Sequence, residues 1–74
     1  MKITIKLFAT FRDGRFKEEQ RDVPEGAVLR QVVADVGIVE REIGMTLVNG
    51  CHAPLEQVLR DGDNIFLFPM LTGG

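Results

Sequence analysis

The segment Asn64–Met70, NIFLFPM, constrains the fold of this chain more than any other stretch. Its apolar side chains alternate between two faces, with Ile65 and Leu67 on one and Phe66, Phe68 and Met70 on the other. This alternation is typical of a β-strand. Because both faces are apolar, the sequence predicts that this strand lies at the centre of a sheet.

The first third of the chain reads as a hairpin. Residues Lys2–Phe8, KITIKLF, alternate between apolar and polar side chains and predict a half-buried strand. Asp13-Gly14 is a turn signal of the kind that joins two antiparallel strands. A second strand is expected over residues 16–23, and its many charges favour an edge position, where charge discourages pairing between molecules.

A single helix is predicted after Pro24, because apolar residues recur there at helical spacing. These residues are Val28, Leu29, Val32, Val33 and Val36. Gly37 fits the position at which a left-handed residue ends a helix. Gly26 is the expected N-cap, although glycine caps a helix less well than Ser, Thr, Asp or Asn.

The remaining elements complete one sheet. Residues 45–50 predict a third strand that ends on the Asn49-Gly50 turn, and Pro54 leaves room for only a short fourth strand. The helix must bury its apolar stripe against one face of the sheet. If the first and last strands lie parallel, the hairpin and helix form the required crossover. The predicted fold is α+β: a β-grasp with a mixed four- or five-stranded sheet.

Composition restricts the classes of function. The 74 residues contain one Cys, so no internal disulfide is possible. The net charge is −2, the Lys and Arg residues are scattered, and no Trp or Tyr could stack on bases, which argues against nucleic-acid binding. No apolar run approaches the roughly 18 residues of a membrane span, and no signal peptide is apparent. We therefore expect a cytoplasmic protein with no membrane partner.

The sequence ends on Gly73-Gly74, directly after the predicted central strand. We expect two parts: a β-grasp domain over residues 1–70, and a flexible Gly-Gly tail over residues 71–74. Glycine has no Cβ, so a tail of this kind can enter a narrow channel and adopt unusual backbone angles.

Three stretches together resemble the ubiquitin-like MoaD/ThiS family of sulfur carriers: LFATFR, LRDGDNIFLFP and the final LTGG. The resemblance implies that an E1-like adenylating enzyme uses ATP to activate the carboxylate of Gly74, with Gly73 beside it. A persulfide then converts the carboxylate to a thiocarboxylate, whose sulfur is delivered inside a second enzyme. The chain itself would be a carrier and not an enzyme, monomeric when free, with no bound cofactor.

Partner-binding residues are expected on the last strand and in the tail. Three apolar side chains on the face away from the helix would form a patch of the kind that marks an interface. The candidates are Phe66, Phe68, Met70, Leu71 and Thr72. The alternative is that the loop from Phe8 to Phe16 folds over the patch.

Several functions within the resemblance stay open. The LFATFR stretch and the TGG ending are similar to the small subunit of molybdopterin synthase, whose partner is the large subunit of that enzyme. Only about eight residues follow Phe8 before the second strand, however, whereas that branch usually has a longer insertion. The alternatives are the sulfur carrier for thiamin thiazole, which partners thiazole synthase, a ubiquitin-like protein modifier, and a plain β-grasp binding module.

Two other groups of polar residues have simpler interpretations. Cys51-His52 offers too few ligands for a metal site and no third group for a catalytic pair, so we predict no metal and a structural or neutral role. Polar residues that flank turns are expected to face solvent, and Asp61 and Asp63 to shape their turn. These residues are Arg12, Asp13, Arg60, Asp61 and Asp63.

Overall fold

The computed structural model describes residues 1–70, which form one mixed sheet of five strands and one α-helix. The strands are β1 (Lys2–Leu7), β2 (Glu18–Asp22), β3 (Ile43–Val48), β4 (Cys51–His52) and β5 (Asn64–Pro69), and the helix is α1 (Leu29–Val36). Short 3-10 helices cover Ala9–Arg12 and Glu40–Glu42. The strand order across the sheet is β2-β1-β5-β3-β4. The expected tail, residues 71–74, lies outside the described residues.

Strand β5 lies at the centre of the sheet, as its two apolar faces predict. It pairs in parallel with β1, where Ile5 lies opposite Ile65 and Leu7 opposite Leu67. On its other side it pairs antiparallel with β3. The segment from β2 to β4, which includes α1, connects the two parallel strands, so the predicted β-grasp fold is confirmed.

The core lies between one face of the sheet and α1. Its most deeply buried side chains are at most 1% exposed, and they come from β1, β5 and the helix: Ile3, Ile5, Leu7, Leu29, Val32, Val33, Ile65 and Leu67. Burying one such side chain contributes about 1.5–3 kcal/mol. The core therefore fixes which face of β5 each side chain occupies.

The start of α1 differs from the prediction, because Val28 and not Gly26 is the N-cap. The N–H of Val28 donates to Oε1 of Gln31 at 2.8 Å. The N–H groups of Leu29 and Arg30 donate to the carbonyls of Gln57 and Leu55, at 2.9 and 2.8 Å. A distant loop thus satisfies donors that a capping side chain would otherwise take.

The ends of the other elements follow the predicted turns, with one exception. Gly37 ends α1 with φ +88°, and Asn49-Gly50 joins β3 to β4 with φ +53° and +84°, as expected. The connection after β1 is not a plain hairpin turn. It contains the 3-10 helix Ala9–Arg12, which places Phe11 in the core at 4% exposure.

Asp63 corrects the expectation that the turn-flanking polar residues face solvent, since it is only 8% exposed. Its carboxylate accepts hydrogen bonds from Nδ2 of Asn49 at 2.9 Å and from the N–H of Arg60 at 2.8 Å. Asp61 accepts from the N–H of Lys2 at 2.7 Å. Both aspartates shape the turn before β5, as predicted, and Asp63 also ties that turn to the β3–β4 turn.

Candidate functional site

The face of the sheet opposite α1, called here the open face, contains the two phenylalanines expected to bind a partner. Phe66 and Phe68 are half-buried, whereas Ile65 and Leu67, which alternate with them along β5, are fully buried on the helix side. The alternation along β5 therefore has the phase that the sequence predicted.

Phe8 joins these two residues and was missed as a site residue. Its ring lies 4.2 Å from that of Phe68, with 11° between the planes, and 6.2 Å from that of Phe66. We call Phe8, Phe66 and Phe68 the aromatic cluster. The structure thus shows the apolar patch, and Phe8, the first residue of the loop after β1, covers part of it. The role of the patch as an interface stays a prediction. In β1, Thr4 and Lys6 point away from the core, and the same alternation continued by two residues places Phe8 on the open face. The sequence pattern therefore contained the signal for Phe8.

Two cations lie over rings of the aromatic cluster. The Lys6 ammonium is 5.3 Å from the centre of the Phe66 ring, and the Arg12 guanidinium is 5.4 Å from that of Phe8. Arg12 is held there because its Nε donates to the carbonyl of Leu7 at 2.7 Å. These distances are within the range of cation–π attraction. The result is an apolar patch with positive charge at its rim.

Strand β3 extends the patch on the other side of β5. Met45 lies opposite Phe68 and Leu47 opposite Phe66, and directly opposed residues of an antiparallel pair share a face. Both side chains are half-buried. The sequence alone predicts a strand here, but the face on which Met45 and Leu47 lie depends on the pairing of β3 with β5.

Strand β5 ends at Pro69, and Met70 follows it with 51% of its surface exposed. The N–H of Met70 donates to the carbonyl of Glu42 at 2.8 Å. An apolar pocket of about 360 Å³ opens beside this end of β5 and is lined by Ala9, Gly44, Met45, Phe68 and Pro69. The other predicted site residues, Leu71, Thr72, Gly73 and Gly74, lie outside the described residues.

Within residues 1–70, no group of three or more His, Cys, Asp and Glu side chains is arranged to hold a metal ion. Cys51 and His52 are both exposed on the short strand β4. Over the same range, no helix is long and apolar enough to cross a membrane. In the part of the chain that the structure describes, the open face is thus an apolar surface without a cluster of metal ligands.

Comparison with solved structures supports the same fold across whole chains. A protein from Pyrococcus furiosus described as molybdopterin converting factor, subunit 1, is 28% identical, with a TM-score of 0.78 over 96% of this chain and 99% of that one. SAMP1 from Haloferax volcanii is 25% identical, with a TM-score of 0.76 over 100% of both chains.

A third structure is similar in fold alone. It is a complex of subunits 1 and 2 of the molybdopterin-converting factor from Helicobacter pylori 26695, in which the matched chain is 19% identical, with a TM-score of 0.68 and 100% of both chains covered. A search of curated protein sequences finds no match. The model of the ThiS family matches residues 5–74. The chain therefore belongs to the ThiS family.

Proposed function

We propose that this protein is a sulfur carrier whose reactive group is the carboxylate of Gly74. The observation that supports this most directly is the match to the ThiS family over residues 5–74, a range that includes Gly73 and Gly74. The fold adds a second argument. The central strand β5 brings the chain to the rim of the sheet at Pro69, beside the aromatic cluster.

The proposed chemistry has three steps. The Gly74 carboxylate attacks the α-phosphorus of ATP in the activating enzyme, which expels pyrophosphate and leaves an acyl-adenylate. A persulfide sulfur attacks the acyl carbon, so that AMP leaves and an acyl disulfide forms. A thiol then reduces the S–S bond, which releases the thiocarboxylate and oxidises the thiol. ATP is used by the partner and is not a resident cofactor of this chain.

The open face would dock the partners while the tail reaches their active sites. Phe66 and Phe68 offer aromatic surface of the kind that dominates binding energy at interfaces. Met70 is exposed beyond the end of β5 and would contact the partner nearest the tail. Leu71 and Thr72 would fill the channel entrance, and Gly73 would leave the Gly74 carbonyl open to attack. The carrier itself would be monomeric when free and would work in the cytoplasm.

The acceptor that we favour is a pterin precursor of the molybdenum or tungsten cofactor. Support comes from the Pyrococcus furiosus protein described as molybdopterin converting factor, subunit 1. The large subunit of molybdopterin synthase would then be the second partner after the E1-like enzyme, an assembly that the Helicobacter pylori complex illustrates for a protein of this fold. A thiazole synthase would replace that partner if the sulfur enters thiamin.

A protein-modifier function is the second candidate, favoured by the likeness to SAMP1, the small archaeal modifier protein 1 of Haloferax volcanii, over the whole of both chains. Both candidates require activation of Gly74, so one experiment tests their common step. ATP–pyrophosphate exchange is measured with the E1-like enzyme of the same organism, using the native chain and a variant that lacks Gly74. We expect exchange with the native chain alone. Equal exchange with both chains would overturn the proposal.

A further inference from the structure

Gly44 lies in β3 where that strand meets the end of β5. A Cβ built on Gly44 would lie 2.7 Å from the carbonyl oxygen of Pro69, 2.9 Å from Cα of Met70 and 3.0 Å from the carbonyl carbon of Pro69. These are backbone atoms, so a side chain at residue 44 could be accommodated only if one of the two strands moved. Unlike Gly37 or Gly50, Gly44 has no positive φ. Glycine is therefore needed here for close approach and not for its backbone angles.

Two further backbone contacts join the residues next to Gly44 to the end of β5. On one side, the carbonyl of Glu42 accepts the N–H of Met70 at 2.8 Å. On the other, Ile43 pairs with Pro69, and the register shifts between Ile43 and Met45. An irregularity of this kind bends the strand that contains it and increases the local twist of the pair. Residues 42–45 thus fix the place at which the chain leaves the sheet.

We propose that Gly44 is a positioning residue that aims the C-terminal segment at the active site of the partner enzyme. This proposal rests on the proposed function, because it concerns the delivery of the Gly74 carboxylate. Under the proposed function the reactive carboxylate is that of Gly74, four residues beyond Met70. At no more than about 3.6 Å each, these residues can place the carboxylate at most about 14 Å from Met70. With so short a reach, moving the exit point moves the whole volume that the carboxylate can sample.

Binding of the open face to the partner should appear mainly in KM, and placement of the Gly74 carboxylate in its active site should appear mainly in kcat. Gly44 lines the pocket beside Phe68 but adds no side chain to the aromatic cluster, so a methyl group there should affect binding of the open face less than delivery of the carboxylate. We expect Gly44→Ala to lower kcat of ATP-dependent activation by roughly tenfold or more, with KM changed less than about threefold, since misplacing a reacting group by about 1 Å can cost about a hundredfold.

Thr46→Ala is the matched control on the same strand. Thr46 lies on the core face opposite Leu67, and its hydroxyl donates to the carbonyl of Ala53 at 2.6 Å. Its loss should lower stability without touching the exit of the chain. Amide hydrogen exchange at Met70 gives a readout apart from activity, and it should accelerate in Gly44→Ala only. If Gly44→Ala has the kcat of Thr46→Ala and unchanged exchange at Met70, the proposal is wrong.

A second pair of variants keeps the test decisive if Gly44→Ala does not fold. Met70→Pro removes the N–H that donates to Glu42, whereas Met70→Ala keeps it and shortens the side chain. We expect a lower kcat for Met70→Pro than for Met70→Ala, and equal values would overturn the proposal. If the native chain is not activated at all, the proposed function is wrong. The hydrogen-exchange rate at Met70 does not depend on activation, so it tests separately whether Gly44 keeps the hydrogen bond from Met70 to Glu42 intact.

Discussion

The ring of Phe8 lies 4.2 Å from the ring of Phe68, with only 11° between their planes. This stack joins the loop after β1 to the centre of the open face. It leaves Phe68 half-buried while the adjacent Leu67 is completely buried on the other side of the sheet. Leu67 should therefore contribute mainly to folding and Phe68 mainly to binding, and single substitutions should separate the two effects.

Leu67→Ala should destabilise the domain severely. Leu67 is 0% exposed, and removing a buried leucine side chain costs about 2–5 kcal/mol. A core in a domain of this size supplies only about 3–5 kcal/mol. Chemical denaturation followed by circular dichroism should show a largely unfolded variant. A midpoint close to that of the native protein would contradict the assignment of Leu67 to the core.

Phe68→Ala should weaken binding more than folding. Loss of the stack with Phe8 should cost about 0.5–1.5 kcal/mol of stability beyond the buried area. Truncating an aromatic anchor at an interface commonly costs about 2 kcal/mol, which corresponds to roughly 30-fold in Kd. Titration against the E1-like enzyme measures this directly. Affinity within about threefold of the native value would mean that the open face is not the docking surface.

Asn49→Ala should destabilise the end of the sheet that is remote from the tail. The Asn49 side chain donates to Asp63 at 2.9 Å and accepts from the N–H of Asn64 at 2.8 Å. Its loss leaves the buried Asp63 carboxylate with one fewer donor, and an unsatisfied buried group costs about 1–3 kcal/mol. Asp13→Ala, at an exposed turn, is the control and should change stability by less than about 0.5 kcal/mol. Equal midpoints for the two variants in urea would refute the role of Asn49.

Glu56 should give stability a weak dependence on pH. The guanidinium of Arg30 donates to Glu56 at 2.8 Å, and this hydrogen bond holds the pKa of Glu56 below its usual value. A lowered pKa in the folded state stabilises the fold above the pKa of the unfolded state, and the contribution is lost as pH falls through the folded pKa. Denaturation midpoints of the native protein and Glu56→Gln should converge on acidification. They should also converge in high salt, because the pair is exposed. A gap between the midpoints that stays constant with pH would contradict this account.

The elements that the sequence predicted correctly have local causes. The alternation of Ile65 to Phe68 reports the two faces of β5, and the positive φ values of Asn49, Gly50 and Gly37 follow from residue type. The errors have distant causes. The start of α1 depends on carbonyls of Gln57 and Leu55, more than twenty residues along the chain. The burial of Asp63 depends on Asn49, fourteen residues away.

In the candidate site, too, some residues could be predicted from local sequence and others depend on distant contacts. The placement of Phe66 and Phe68 on one face follows from their spacing, and the same reasoning would have reached Phe8. The role of Gly44 could not be found from the sequence, because it depends on how closely Pro69 and Met70 approach β3. The expected roles of Leu71, Thr72, Gly73 and Gly74 lie outside the described residues and stay predictions.

The central claim is that Gly74 carries the sulfur, and the mass of the intact protein tests it most directly. The native chain is incubated with its E1-like enzyme, ATP and a persulfide donor, beside a variant that lacks Gly74. The account predicts a mass gain equal to the exchange of one oxygen for one sulfur, confined by fragmentation to Gly74 and missing in the variant. An unchanged mass with an activating enzyme shown to be competent, or a gain located elsewhere in the chain, would contradict it.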